Sequence, residues 1–148
     1  MKTKILILLV IAVVVNACSK DKFTTAPQLI FKSVNSTSVG QNDVLTFTFE
    51  FTDKEGDIQD SMFINRTSTV CPGVPVANLS SYVPAFSSTP NQSGTLEVSF
   101  PVGFGTGSIG TPCSNGQKTD TAIFKFCLRD KAGNKSDTIT SPKIAIRK

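Results

Sequence analysis

Three features of this 148-residue sequence predict an all-β fold, an immunoglobulin-like sandwich. Thr, Ser, Val, Phe and Ile dominate while Glu is scarce, a composition that suits half-buried pleated surfaces better than helices. Apolar residues recur with period two, most plainly at Leu45, Phe47, Phe49 and Phe51, with Thr46, Thr48 and Glu50 on the opposite face. Clusters of Gly, Pro, Asn and Ser break the alternating stretches into short lengths, and about seven antiparallel strands with turn signals between them fit a sandwich.

The elements follow in order. Strands are expected over 29–34, 45–51, 62–69, 82–86, 96–100, 124–128 and 138–146. Alternation is strongest in the second, in Leu96, Val98 and Phe100 of the fifth, and in Phe124, Phe126 and Leu128 of the sixth. Pro142 cannot donate to a ladder, so the last strand is expected at an edge or to carry a bulge there. No window has helical periodicity. An outer-membrane barrel would need girdles of Trp and Tyr, and this chain has no Trp and a single Tyr82.

Ahead of the sandwich, Lys2 and Lys4 precede an unbroken apolar run over 5–15, the charged and oily regions of a secretory leader. As a helix that run would cover only ~16 Å of a ~30 Å hydrocarbon core, so it reads as a targeting segment rather than a span. Val15-Asn16-Ala17-Cys18 resembles a bacterial lipobox, in which cleavage precedes a cysteine that then carries acyl chains. The expected organisation is a signal peptide over 1–17, a lipidated tether over 18–27 and a sandwich over 28–148. Several acyl chains at ~0.8 kcal/mol per CH2 would hold Cys18 firmly at a bilayer. Loss of Lys2 and Lys4 with the leader leaves 13 basic against 11 acidic side chains, too mild and too dispersed for nucleic-acid binding.

Phe51-Thr-Asp-Lys-Glu-Gly-Asp-Ile58 and the run from Phe126-Cys-Leu-Arg-Asp-Lys-Ala-Gly-Asn to Ser-Pro142 resemble the end-of-strand loops of uncharacterised Bacteroidetes-type lipoproteins with one immunoglobulin-like or cadherin-like domain. The charged stretch Ser19 to Lys22 is similar to the segment after the lipid cysteine in the same group. The resemblance implies an outer-membrane location, on the periplasmic or cell-surface face, and no established activity.

Two loops carry the candidate chemistry. In a sandwich of this topology the connections after the second and sixth strands lie at the same end, which gathers Asp53, Glu55, Asp57 and the more distant Asp60 near Asp130 and Asn134. Several oxygen ligands from two loops suit a hard cation such as Ca2+, with Gly56 and Gly133 allowing tight turns. The competing expectation is that Asp53 and Asp130 make Asx-type turns while Lys54, Arg129, Lys131 and Lys135 neutralise the cluster. Gly105-Thr-Gly-Ser-Ile-Gly110 spells a dinucleotide fingerprint, but no helix follows it, and it is expected to be a loop.

Cys71, Cys113 and Cys127 remain after Cys18, in a compartment that permits disulfides. Cys71 and Cys113 both fall in irregular loops and are the expected pair; Cys127 with either loop cysteine is the alternative. Cys127 is expected to face away from the core, by alternation with Phe126. The chain contains no histidine, which excludes Ser/His and Cys/His nucleophile pairs and histidine-containing metal sites. These observations together predict a non-catalytic, lipid-anchored accessory or adhesion-type module for an unknown protein or glycan ligand, requiring no cofactor. A carbohydrate-binding accessory of a glycan-uptake system is the alternative, with Tyr82, Phe86 and Phe104 as the ready aromatic candidates. A hydrolase using Asp57 and Asp130 is a further one.

Overall fold

The computed structural model describes residues 22–70, 78–103, 109–110 and 119–147. Within them the chain forms the strands β1 (Gln28–Val34), β2 (Ser38–Val39), β3 (Val44–Asp53), β4 (Ser61–Ser68), β5 (Asn78–Tyr82), β6 (Gln92–Pro101), β7 (Asp120–Arg129), β8 (Ile139–Thr140) and β9 (Ile144–Ile146). One sheet has the order β1-β3-β6; the other has the order β2-β9-β7-β4-β5, with β8 also pairing with β7. Placing β3 in one sheet and β4 in the other, with β7 between β4 and β9, is the immunoglobulin-like arrangement.

The core lies between the sheets and is built from the alternating faces. Leu45, Phe47 and Phe49 of β3 are fully buried, as are Phe124 and Leu128 of β7, with Phe126 nearly so. In the cross-strand register Leu45 opposes Phe100 and Phe47 opposes Val98, while Met62 and Ile64 of β4 oppose Leu128 and Phe126. The Phe47 ring reaches across the interface to Phe124 at 5.0 Å and Phe126 at 4.9 Å, and Phe49 meets Phe126 at 4.7 Å. Such tilted contacts add ~0.5–1.5 kcal/mol per pair to the area they bury. Gly94 lies opposite Phe51, and a Cβ there would come within 2.8 Å of that ring, so the sixth strand needs glycine at this point.

Two expectations about elements are corrected. The strand expected over 82–86 is centred earlier, at Asn78–Tyr82, because Val83 turns inward and its N–H bonds the Asp60 carbonyl, after which Pro84 has no N–H for a ladder. The final strand is split into β8 and β9 at Pro142. There the Ser141 hydroxyl, not a backbone carbonyl, accepts the Phe124 N–H at 3.0 Å. The two-residue β2, parallel to β9, is too short to leave a periodic trace. In the segment expected as a tether, the Thr24 carbonyl accepts the Lys54 N–H, which ties the chain to the β3–β4 loop before β1 begins. The signal peptide, Cys18, and the expected Cys71–Cys113 pair lie outside the described residues.

Candidate functional site

The two acidic loops do meet at one end of the sandwich. Asp53 closes β3, Asp57 sits in the following loop, and Asp130 comes directly after β7; an oxygen from each lies within 4.8 Å of the others. The local turns explain how. Gly56 adopts φ 73°, which bends the chain so that the Gly56 and Asp57 amides donate to Asp53 Oδ2 at 2.6 and 3.0 Å. In the other loop the Asn134 backbone and side-chain N–H groups donate to Asp130 Oδ1 and Oδ2 at 2.7 and 2.8 Å. The Lys131 N–H donates to the Asp57 carbonyl at 3.0 Å and joins the loops. Asx-type turns are therefore present, and the carboxylates still converge.

Of the residues expected here, Glu55 is exposed and stands outside the group. Asn134 presents its amide nitrogen to Asp130, so it serves as a hydrogen-bond donor to the cluster. Asp60 pairs with Arg129 instead. The expected neutralisation by Lys54, Arg129, Lys131 and Lys135 is corrected: among the described residues the ion pairs are Lys32–Glu50, Arg66–Asp120 and Arg129–Asp60, and none involves the three clustered carboxylates.

Asp53 has no exposed surface and Asp130 only 1 %. Burial raises the Asp53 carboxyl above its ordinary range; the two backbone donors oppose this, and the neighbouring Asp57 and Asp130 charges add to it. Three buried side-chain atoms have no hydrogen-bond partner among the described residues, Asp53 Oδ1, Asp57 Oδ1 and Gln92 Oε1, and all are acceptors. Gln92 was not anticipated. It opens β6 and pairs directly with Asp53 across the β3–β6 ladder, so the two side chains leave the sheet on the same face. Only the pairing partner of β3 reveals it.

A second feature covers the outer face of the larger sheet. Tyr82 and Arg129 flank Ser61 in one cross-strand row, and Ser80 and Cys127 flank Phe63 in a neighbouring one. Tyr82 is 84 % exposed. The Arg129 guanidinium stands over the Phe63 ring at 5.1 Å and Lys135 at 5.5 Å. Arg129 also bonds Asp60 and holds that carboxyl below its usual range. Phe63 and Lys125 border a shallow concavity of ≈ 590 Å³, where Cys127 is half-buried and carries a free thiol that donates to the Ser136 carbonyl. Cys127 does face away from the core, as alternation requires. Phe86 packs its ring 6.4 Å from Phe51 and is 37 % exposed; Phe104 lies outside the described residues.

No protein-family model matches the chain, and no curated protein matches it. Among solved structures it is similar to the sporulation control protein Spo0M from Bacillus subtilis, with a TM-score of 0.48 and 10 % sequence identity over 84 % of this chain. The matched region spans 51 % of Spo0M, and a likeness at this level carries no argument about function.

Proposed function

We propose that this chain is a non-catalytic envelope module, anchored to the outer membrane by a lipid on Cys18, that binds its ligand on the outer face of the larger sheet. The observation that carries this reading is the row in which Tyr82 and Arg129 flank Ser61, with Phe63 behind it. An aromatic surface and a guanidinium side by side offer stacking area and directed donors, the combination on which binding surfaces concentrate their energy.

Anchoring is tested by fractionating cells that express the wild type or Cys18→Ser. The expected result is transfer of the protein from the membrane to the soluble fraction; an unchanged membrane pool excludes the lipid. The glycan reading is favoured by one observation, the 84 % exposure of Tyr82. It is tested on a glycan array, where binding by the wild type is expected to fall at least tenfold in Tyr82→Ala, about 1.4 kcal/mol. A flat array directs the search to protein partners of the same face.

A further inference from the structure

We propose that Asp53, Asp57 and Asp130 form a calcium site, with the Gln92 side-chain oxygen as a fourth protein ligand, locking the β3–β4 loop to the loop after β7. Ca2+ binds oxygen at ~2.3–2.6 Å, so oxygens around one ion can stand up to ~5 Å apart. The three carboxylates meet that condition, each offering an oxygen within 4.8 Å of the others.

Convergence of acids alone would carry little. The second observation is that Asp53 has no exposed surface, yet its Oδ1 accepts no hydrogen bond. Asp57 Oδ1 and Gln92 Oε1 are likewise buried atoms without a partner among the described residues, on half-buried side chains, and an ideal Cβ on Gly56 would fall 2.8 Å from Gln92 Oε1, which sets that oxygen beside the Asp53 turn. A buried acceptor without a partner forfeits its hydration for nothing in return. Three such acceptors and no such donor ask for one kind of occupant, a donor-rich or positively charged one. Oxygen ligands without His or Cys select a hard cation over zinc or copper. A buried setting disfavours Mg2+, which dehydrates reluctantly and keeps several waters. Pre-formed turns supply the rest: both loops are already fixed by their own backbone bonds and by Lys131 N–H to Asp57 C=O.

The site lies on the end of the sandwich rather than on the sheet face bearing Tyr82, so it stands whatever that face binds. An extracytoplasmic module of this kind is expected to bind with Kd of about 0.1–1 mM. The experiment is thermal and urea unfolding of the purified full chain at pH 7 in chelator, in Mg2+ and in Ca2+, with calorimetric titration of Ca2+ alongside. At ten times Kd the folded-to-unfolded ratio is expected to rise about tenfold in Ca2+, saturably, with Mg2+ giving far less. Asp57→Asn and Asp130→Asn are expected to abolish the rise, and Gln92→Leu to weaken Ca2+ binding severalfold. Should the Asp130 variant not fold, Asp57→Asn and the wild-type calorimetry decide the matter. No heat and no shift at 10 mM Ca2+, or an equal shift in Asp57→Asn, overturns the proposal.

Discussion

The strand β7 has a buried carboxylate at each end, and the two are treated oppositely. Asp120, its first residue, accepts from Arg66 Nη2 at 3.0 Å and from the Ser68 hydroxyl. Asp130, one residue past its end, joins Asp53 and Asp57, and the donors to this group among the described residues are neutral. Asp120 and Asp53 are fully buried and Asp130 is 1 % exposed, while Asp57 is half-buried. A charge removed from water needs a counter-charge, a proton or a metal. At one end the chain carries its own cation on β4; at the other the described residues supply none, and the proposed Ca2+ would take that part.

The largest expected effect tests the self-sufficient end. Arg66→Met removes the partner of a carboxylate that stays buried, and the loss is expected at about 3–5 kcal/mol in urea unfolding. Arg66→Met combined with Asp120→Leu is expected to recover much of it, because no uncompensated charge then remains. A single-variant loss below ~1 kcal/mol would mean that Asp120 reaches water, and the contrast between the ends would dissolve. Next in size is Gly56→Ala at the open end. Its φ of 73° suits glycine, and a Cβ would meet the Thr89 carbonyl oxygen at 2.2 Å. A cost of about 1–3 kcal/mol is expected, together with weaker Ca2+ binding, since this turn aims both amides at Asp53.

Smaller again is a pH effect confined to the open end. Burial lifts the Asp53 carboxyl above its ordinary value of 3.8 in the folded chain. The folded state therefore holds that proton more tightly than the unfolded one. In chelator this group's contribution is fully present below the unfolded value near 3.8 and is lost as pH rises through the higher folded value. Asp53→Asn is expected to flatten that part of the stability profile, and saturating Ca2+ to turn it into a rise with pH, because metal binding expels the proton. A wild-type profile in chelator identical to that of Asp53→Asn would show Asp53 ionised and comfortable without a cation.

How much of this was legible in the sequence depends on how local the signal was. The sandwich was, because Leu45 to Phe51 and Phe124 to Leu128 alternate without interruption and each face is read within one strand. Meeting of the Asp53 and Asp130 loops was legible too, since it follows from topology alone. What escaped depends on register. Pairing of Gln92 with Asp53, and of Arg66 with Asp120 across the β4–β7 pair, joins residues far apart in sequence that no periodicity links. Tyr82 could be named as a candidate ring, but its place in the outer row beside Ser61, at the last position of β5, depends on the β4 register. The cations near the acidic loop were misread because charge was counted along the chain, whereas Arg129 is drawn to Asp60 and Lys135 to the Phe63 ring.

The smallest effect is also the one that bears most directly on the contrast. Gln92→Lys would give the open end what Arg66 gives the other, a cation belonging to the chain. Gln92 leaves the sheet on the same face as Asp53, with Cβ atoms of such a direct pair ~5 Å apart, and its own oxygen is already buried against the Asp53 turn. An ammonium there can donate to the orphaned Asp53 and Asp57 oxygens. The expected gain is modest, up to about 1 kcal/mol in chelator, because holding a long side chain in one geometry offsets much of the attraction. Its signature is the loss of two responses at once: Ca2+ no longer stabilises the variant, and its stability no longer falls as pH rises through the Asp53 range. If Gln92→Lys proves destabilising while Gln92→Leu is neutral, the orphaned oxygens are answered by water rather than by charge. Burial by itself would then not oblige this end of β7 to find a cation.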